Sequence, residues 1–200
     1  SEPVSELAAG EQLFEEMELG GTVNFIAFRQ AVAGYNRIKE KSKPILTLID
    51  FSKPSTEKRF FVFDMEKKKL LYSSVVAHGR NSGENYATSF SNQYGSYKSS
   101  LGFYLTENTY QGGNGYSLIL NGLEKGINDK AKARSIVVHG APYANPSVAA
   151  SGRLGRSLGC PALPTKLARP IINTIKDGRV MFIYDNNPHY LAQSNILHKN

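Results

Sequence analysis

The sequence predicts a mostly-β domain with some helix, preceded by an N-terminal helical extension over residues 1–43. Three observations carry this reading. Apolar residues ahead of residue 43 recur at helical spacings of three and four. From Ile45 onward the chain breaks into short runs of β-branched and aromatic residues, separated by Gly, Asn, Asp and Ser. Pro44 stands between the two textures, where it stops a helix.

In the first segment Leu7, Leu13, Phe14 and Met17 share one face of a helix that stops at Gly20-Gly21. Asn24 is placed to cap a second helix, whose Phe25, Phe28, Val32, Tyr35 and Ile38 form an apolar stripe. Lys39 to Lys43 are expected in its last turn, where the helix dipole favours positive charge. A stripe this apolar must be covered, so the helical pair is expected to dock on the domain that follows.

That domain is expected over residues 44–185. Ile45 to Ile49 is its first strand. Phe60 to Phe63 and Leu70 to Val76 flank the polar stretch Asp64 to Lys69 as a hairpin. Residues 79–100 hold many Ser, Asn, Gly and Tyr without period, the pattern of a long ordered loop, and such loops are usually functional. Gly102 to Thr106 and Tyr116 to Leu120 are a second strand pair, with Asn114-Gly115 as a tight-turn signal. Ser135 to His139 is a buried-type strand. Asn145-Pro146 reads as a cap followed by proline at the first helical position, with Gly152 closing a short helix. Thr165 to Lys176 is a longer helix with Ile171, Ile172 and Ile175 inward, Pro170 near its first turn and Gly178 as its stop. Arg179 to Tyr184 is the last strand, and residues 186–200 are expected to form a polar, peripheral C-terminal tail.

Composition narrows the function. Two hundred residues suffice for one domain whose core needs no disulfide staples. Hydrophobic residues make up 40% and charged residues 20%, which excludes collagen-like and disordered classes. The net charge of +7 favours anionic surroundings. No run of 18 uncharged apolar residues exists, so no membrane span is expected. Nucleic acid is disfavoured as a partner, because the dense basic run Lys67-Lys68-Lys69 falls at a hairpin tip and no nucleic-acid module is recognisable. Neither a metal nor a cofactor is expected: one cysteine and four scattered histidines give no paired-ligand spacing, and Gly112 to Gly115 is a turn, not a phosphate loop.

The single cysteine, Cys160, is the candidate for chemistry. It cannot form an internal disulfide, so its use is packing or reactivity. It lies in Gly155-Arg156-Ser157-Leu158-Gly159-Cys160-Pro161-Ala162-Leu163-Pro164, a turn flanked by Gly and Pro and not an apolar run. Arg153 and Arg156 precede it, and positive neighbours lower a thiol's pKa. Gly159 permits close substrate approach, and the N–H groups of Gly159 and Cys160 are candidates to hold an oxyanion. A nucleophilic thiol needs a base. His139, at the end of a buried strand and followed by Gly140, is the first choice; His78, followed by Gly79, has a similar setting and is the second. His189 and His198 fall in the tail and are expected to be solvated.

His139 followed after seventeen residues by Ser157-Leu158-Gly159-Cys160 resembles the signature of the L,D-transpeptidase catalytic domains of bacterial cell walls. The resemblance extends through His78 to Gly83, Ser89 to Asn92, Ser99 to Gly102, His139 to Ala141 and Gly152 to Ser157, about residues 45 to 184. Two positions depart: Leu158 stands where the motif has a histidine, and Ala162 where it has Arg or Asn. The resemblance implies a β-sandwich catalytic domain, an exported, periplasmic or cell-envelope location, and a cysteine acyl-enzyme formed on a peptidoglycan stem peptide. It maps the nucleophile onto Cys160, the base onto His139, the motif serine and glycine onto Ser157 and Gly159, and the carbonyl that orients the base onto Gly140. Arg134, Arg153 and Arg156 are then candidates to pair with substrate carboxylates, and Tyr143 and His78 to line the cleft. Two rival readings stay open: a carboxypeptidase or cysteine peptidase using water as acceptor, and a non-catalytic wall-binding module using the Tyr-rich loop.

Overall fold

The computed structural model describes residues 4–198. Eight strands form one mixed sheet: β1 (Ile45–Asp50), β2 (Phe60–Asp64), β3 (Lys69–Ser74), β4 (Gly102–Gly112), β5 (Gly115–Gly122), β6 (Val137–Gly140), β7 (Ala162–Leu163) and β8 (Val180–Tyr184). Their order is β3-β2-β1-β8-β4-β5-β6-β7, with β1–β8 and β6–β7 parallel and the other neighbours antiparallel. Laid flat, this order would put β3 and β7 about 34 Å apart at the usual strand spacing. Yet Ala77, just beyond β3, bridges Ala162 of β7, and Gly79 bridges Ser157. The three residues from Ser74 to Ala77 reach about 10 Å at most. The sheet must therefore curl until its edges meet, so the sandwich is one sheet folded over itself.

β1, β2 and β8 are buried at every residue, which is why they read as unbroken apolar runs and not as alternating ones. The helix α2 (Phe25–Arg37) lies on β1 and β8, started by Asn24, whose side chain accepts from the Ile26 and Ala27 N–H groups. Its fit is close: a Cβ at Gly34 would fall 2.1 Å from the Phe103 ring. Phe28 meets Phe63 edge-on at 5.2 Å, and Phe103 stacks on Phe182 at 4.1 Å. The preceding helix α1 (Val4–Glu16) packs on α2 through Phe14, which contacts Phe25 and Phe28. The helix α3 (Thr165–Ile175) buries Ala168, Ile171, Ile172 and Ile175 and packs on β1, β5 and β6.

Several expectations need correction. Lys39 to Lys43 lie beyond α2, because Ile38 leaves helical geometry to bury its side chain; the basic residue in the last turn is Arg37, paired with Glu6 at 2.6 Å. Asn145 does not cap the short helix that follows it, a 3-10 helix over Pro146–Ser151. Its Oδ1 instead accepts from the Thr165 N–H at 2.9 Å and caps α3, whose own N-cap residue, Pro164, has no side chain able to do so. Pro170 sits in the second turn of α3. β4 extends further than its apolar core suggests, because its outer half forms an exposed polar arm with the start of β5, and β5 runs on to Gly122 opposite Tyr104.

The expected peripheral tail is also more than that. It contains a helix, α4 (Pro188–Gln193), and buries Tyr190 and Ser194. Tyr190 donates its hydroxyl hydrogen to one oxygen of the buried Glu124 carboxylate at 2.7 Å, and the Ser194 hydroxyl donates to the other. The Phe103 N–H donates to the same carboxylate at 2.9 Å, so the tail is fastened to the sheet.

Candidate active site

The seam where the sheet edges meet positions Cys160. β7 pairs in parallel with β6, setting His139 opposite Ala162. The turn that enters β7 is closed by Ser157, whose hydroxyl donates to the Cys160 carbonyl at 2.6 Å and accepts from the Gly159 N–H at 3.1 Å. Gly159 has φ +127°, and a Cβ there would come within 2.8 Å of Ile136 Cδ1 and 3.0 Å of the Lys98 carbonyl. Glycine is required at this position by both angle and space.

The Cys160 thiol is almost enclosed. Sγ accepts from the Val137 N–H at 3.4 Å and donates to the Ser135 carbonyl at 3.5 Å. Ser135 holds φ +59°, a left-handed geometry rare outside glycine. Sγ lies in a cleft of about 380 Å³ shared with Asn114, Arg134, His139, Tyr143, Arg156 and Leu158. Burial pushes the thiol above its ordinary pKa, against smaller downward pulls from the Val137 N–H and the Arg134 guanidinium. The expectation of a thiol acidified by Arg153 and Arg156 is not met: burial outweighs the pull of the nearby cation, and that cation is Arg134.

His139 is buried at the end of β6, and its Nδ1 lies 2.9 Å from the Gly140 carbonyl. A carbonyl oxygen only accepts, so Nδ1 carries a hydrogen, and in a neutral imidazole this leaves the lone pair on Nε2. That tautomer suits proton acceptance. Sγ and the imidazole share the cleft without a direct hydrogen bond among the described residues; the sulfur's partners are Val137 and Ser135.

The other candidates divide. Tyr143 and Arg156 line the cleft, and burial, with the nearby Cys160, raises the Tyr143 phenol to about 12. Arg153 does not line it: its Nε donates to Glu84 at 3.0 Å, and Arg156 Nη1 reaches the same carboxylate at 3.3 Å. Arg134 lines the cleft, but its guanidinium bonds to the loop, donating to Ser91 O, Ser96 Oγ, Lys98 O and Ser100 Oγ at 2.9–3.0 Å. This leaves little of it for a substrate carboxylate.

His78 is outside the cleft. Its Nδ1 accepts from the buried Arg59 guanidinium at 2.8 Å and its Nε2 donates to the Gly83 carbonyl at 3.1 Å. Burial first, then Arg59, lowers its pKa to about 4. Both ring nitrogens are occupied, so it is a structural histidine and not a reserve base. The oxyanion expectation also changes: the Gly159 N–H closes the turn on Ser157, whereas the Cys160 N–H has no partner among the described residues.

Sequence reasoning missed three contributors. Asn114 was read as a turn residue, yet the β4–β5 arm carries it to the cleft. Ser135 supplies a carbonyl, which no side-chain pattern announces. Leu158 is 56% exposed at the cleft; the motif marks it only as a departure, because its exposure is not written in the sequence.

A thiol and an imidazole in one cleft, at the closing seam of a folded mixed sheet, define the class to which the chain is compared. The family profile described as the L,D-transpeptidase catalytic domain matches residues 20–184, and the chain belongs to that family. The match takes in α2 as well as the sheet. Among solved structures, L,D-transpeptidase 3 from Mycobacterium tuberculosis is similar with 13% identity and a TM-score of 0.46, over 70% of this chain and 61% of that one. An L,D-transpeptidase from Mycobacterium smegmatis is 12% identical with a TM-score of 0.43, over 70% and 58%. The helical cell shape determining protein Pgp2 from Campylobacter jejuni, a K307A mutant, is 14% identical with a TM-score of 0.48, over 93% and 58%. The chain thus spans less than two thirds of each of these proteins. No curated protein matches it.

Proposed function

We propose that this protein is a cysteine-dependent L,D-transpeptidase of the cell envelope, acting on peptidoglycan stem peptides through an acyl-enzyme on Cys160. One observation carries the reading: Cys160 Sγ and a His139 ring whose Nε2 is free to accept share one cleft, inside the span matched by the family. The charge of +7 supports an anionic polymer as the working surface.

In the proposed reaction the Sγ proton passes to His139 Nε2, and the thiolate adds to the carbonyl carbon of a donor-stem peptide bond. The Cys160 N–H faces the developing oxyanion. The carbon–nitrogen bond breaks, and the leaving amine takes the proton from Nε2, leaving a thioester. An amine from a second stem attacks this thioester, gives its proton to Nε2, and Cys160 leaves as thiolate and is reprotonated. Water in place of the amine would yield a shortened stem. Gly140 fixes the tautomer, Ser157 and Gly159 shape the turn, and Arg156 and Tyr143 contact the donor.

The test is incubation of the protein and Cys160→Ala with purified muropeptides, with products resolved by mass. Cross-linked dimers present with the parent and absent with the variant are expected. Shortened monomers alone would replace the reading with a carboxypeptidase, and unchanged muropeptides with tight sacculus binding would replace it with a wall-binding module.

A further inference from the structure

Two arginines line the cleft with Cys160, and they are held differently. Arg156 is bonded away from the sulfur, to the Arg80 carbonyl at 2.9 Å and to Glu84. Arg134 stands directly behind the catalytic turn: its Nη2 lies 3.6 Å from where a Gly159 Cβ would be. Its neighbours in sequence close around the sulfur, Ser135 through its carbonyl and Val137 through its N–H. The guanidinium has no carboxylate partner among the described residues; its four acceptors are carbonyls and hydroxyls between Ser91 and Ser100. Neutral acceptors fix the position of a cation and leave its charge uncompensated, free to act on a neighbouring anion.

We propose that Arg134 is a positioning residue for the nucleophile: the loop around residues 91–100 holds its cation beside the catalytic turn, where it stabilises the Cys160 thiolate that forms on proton transfer to His139. This rests on the assignment of Cys160 above. The titratable groups that line the cleft with Cys160 are Arg134, His139, Tyr143 and Arg156. Of these, Arg134 is the one whose charge lowers the thiol's pKa, against the larger upward effect of burial. The long loop thereby acquires a role in tuning the nucleophile. Tyr94 and Tyr97 are exposed on it, so a wall polymer bound there would touch the frame that holds the cation.

The test is the rate of Cys160 alkylation by iodoacetamide against pH, in the full chain, for the parent, Arg134→Met and Arg134→Lys. Thermal melts confirm folding. Arg134→Met removes the charge and is expected to raise the alkylation midpoint by about one pH unit, roughly a tenfold slower reaction at neutral pH. Arg134→Lys keeps a cation without the fork and is expected to recover most of that shift. If Arg134→Met does not fold, Arg134→Gln, which retains an amide donor for the loop, makes the same comparison. A neutral variant with an unchanged midpoint overturns the proposal. So does an equal shift in the lysine and the neutral variant, which would make Arg134 only a loop strut. Transpeptidation that survives Cys160→Ala would instead overturn the nucleophile assignment, so the two failures are distinct.

Discussion

At the scale of single residues, the cleft separates two histidines that look alike in sequence. Both end apolar runs and both precede glycine, yet among the described residues one has a partner only at Nδ1 and the other has partners at both ring nitrogens. His139→Ala should lower acyl-enzyme formation by on the order of a hundredfold or more, the usual scale of losing a general base. Single-turnover kinetics with a stem peptide would measure this, and a near-parent rate would remove His139 from the role. His78 should govern acid stability instead. Its folded pKa of about 4 lies below the unfolded value of about 6.5, so between those pH values the unfolded chain binds more protons. Stability should therefore fall as pH drops through this window, by up to on the order of 3 kcal/mol. Melts of His78→Gln, which keeps hydrogen-bonding capacity without the titration, should show a flatter acid limb. An identical acid limb would contradict the assignment.

At the scale of elements, the parts that order the cleft are held by polar contacts that leave no pattern in sequence. The strands were legible because burial on both faces writes continuous apolar runs, as in Phe60 to Phe63 and Val180 to Tyr184. α2 was legible because Asn24 and its apolar stripe act locally. Asn145 was read one helix too early, because capping depends on which N–H lies nearby in space, and Thr165 is twenty residues away. The tail was misread because two side chains, Tyr190 and Ser194, fasten it through Glu124, a residue 66 and 70 positions distant. Replacing both, Tyr190→Phe with Ser194→Ala, leaves the buried carboxylate with the Phe103 N–H as its one remaining partner among the described residues. Chemical denaturation should register a loss of about 2–4 kcal/mol, since an abandoned buried acceptor costs about 1–3 kcal/mol, more when charged. A loss under about 0.5 kcal/mol would mean that the tail is peripheral after all.

At the scale of the whole molecule, the curl of the sheet explains why the chemistry lies where it does. Ala77 and Gly79, just beyond one edge strand, seal against Ala162 of the other and Ser157 on the approach to it. Cys160 sits within that seal, and His139 reaches it from β6. The sequence motif pairs the two residues across a spacing that the structure fills with the end of β6, two short 3-10 helices (Pro142–Ala144 and Pro146–Ser151) and one turn. It could not report the electrostatics. The nearest arginines in sequence, Arg153 and Arg156, are drawn to Glu84, and the cation proposed to act on the sulfur is Arg134, twenty-six residues upstream. Charge proximity along a chain is a poor guide to charge proximity in a fold.

Intact-protein mass spectrometry during turnover of a stem peptide shows whether Cys160 carries the acyl group. A transient mass increase equal to the donor acyl group is expected, mapped by digestion to the peptide holding Cys160, with no increase for Cys160→Ala. Cross-linked product formed without that adduct, or formed by Cys160→Ala, would contradict it.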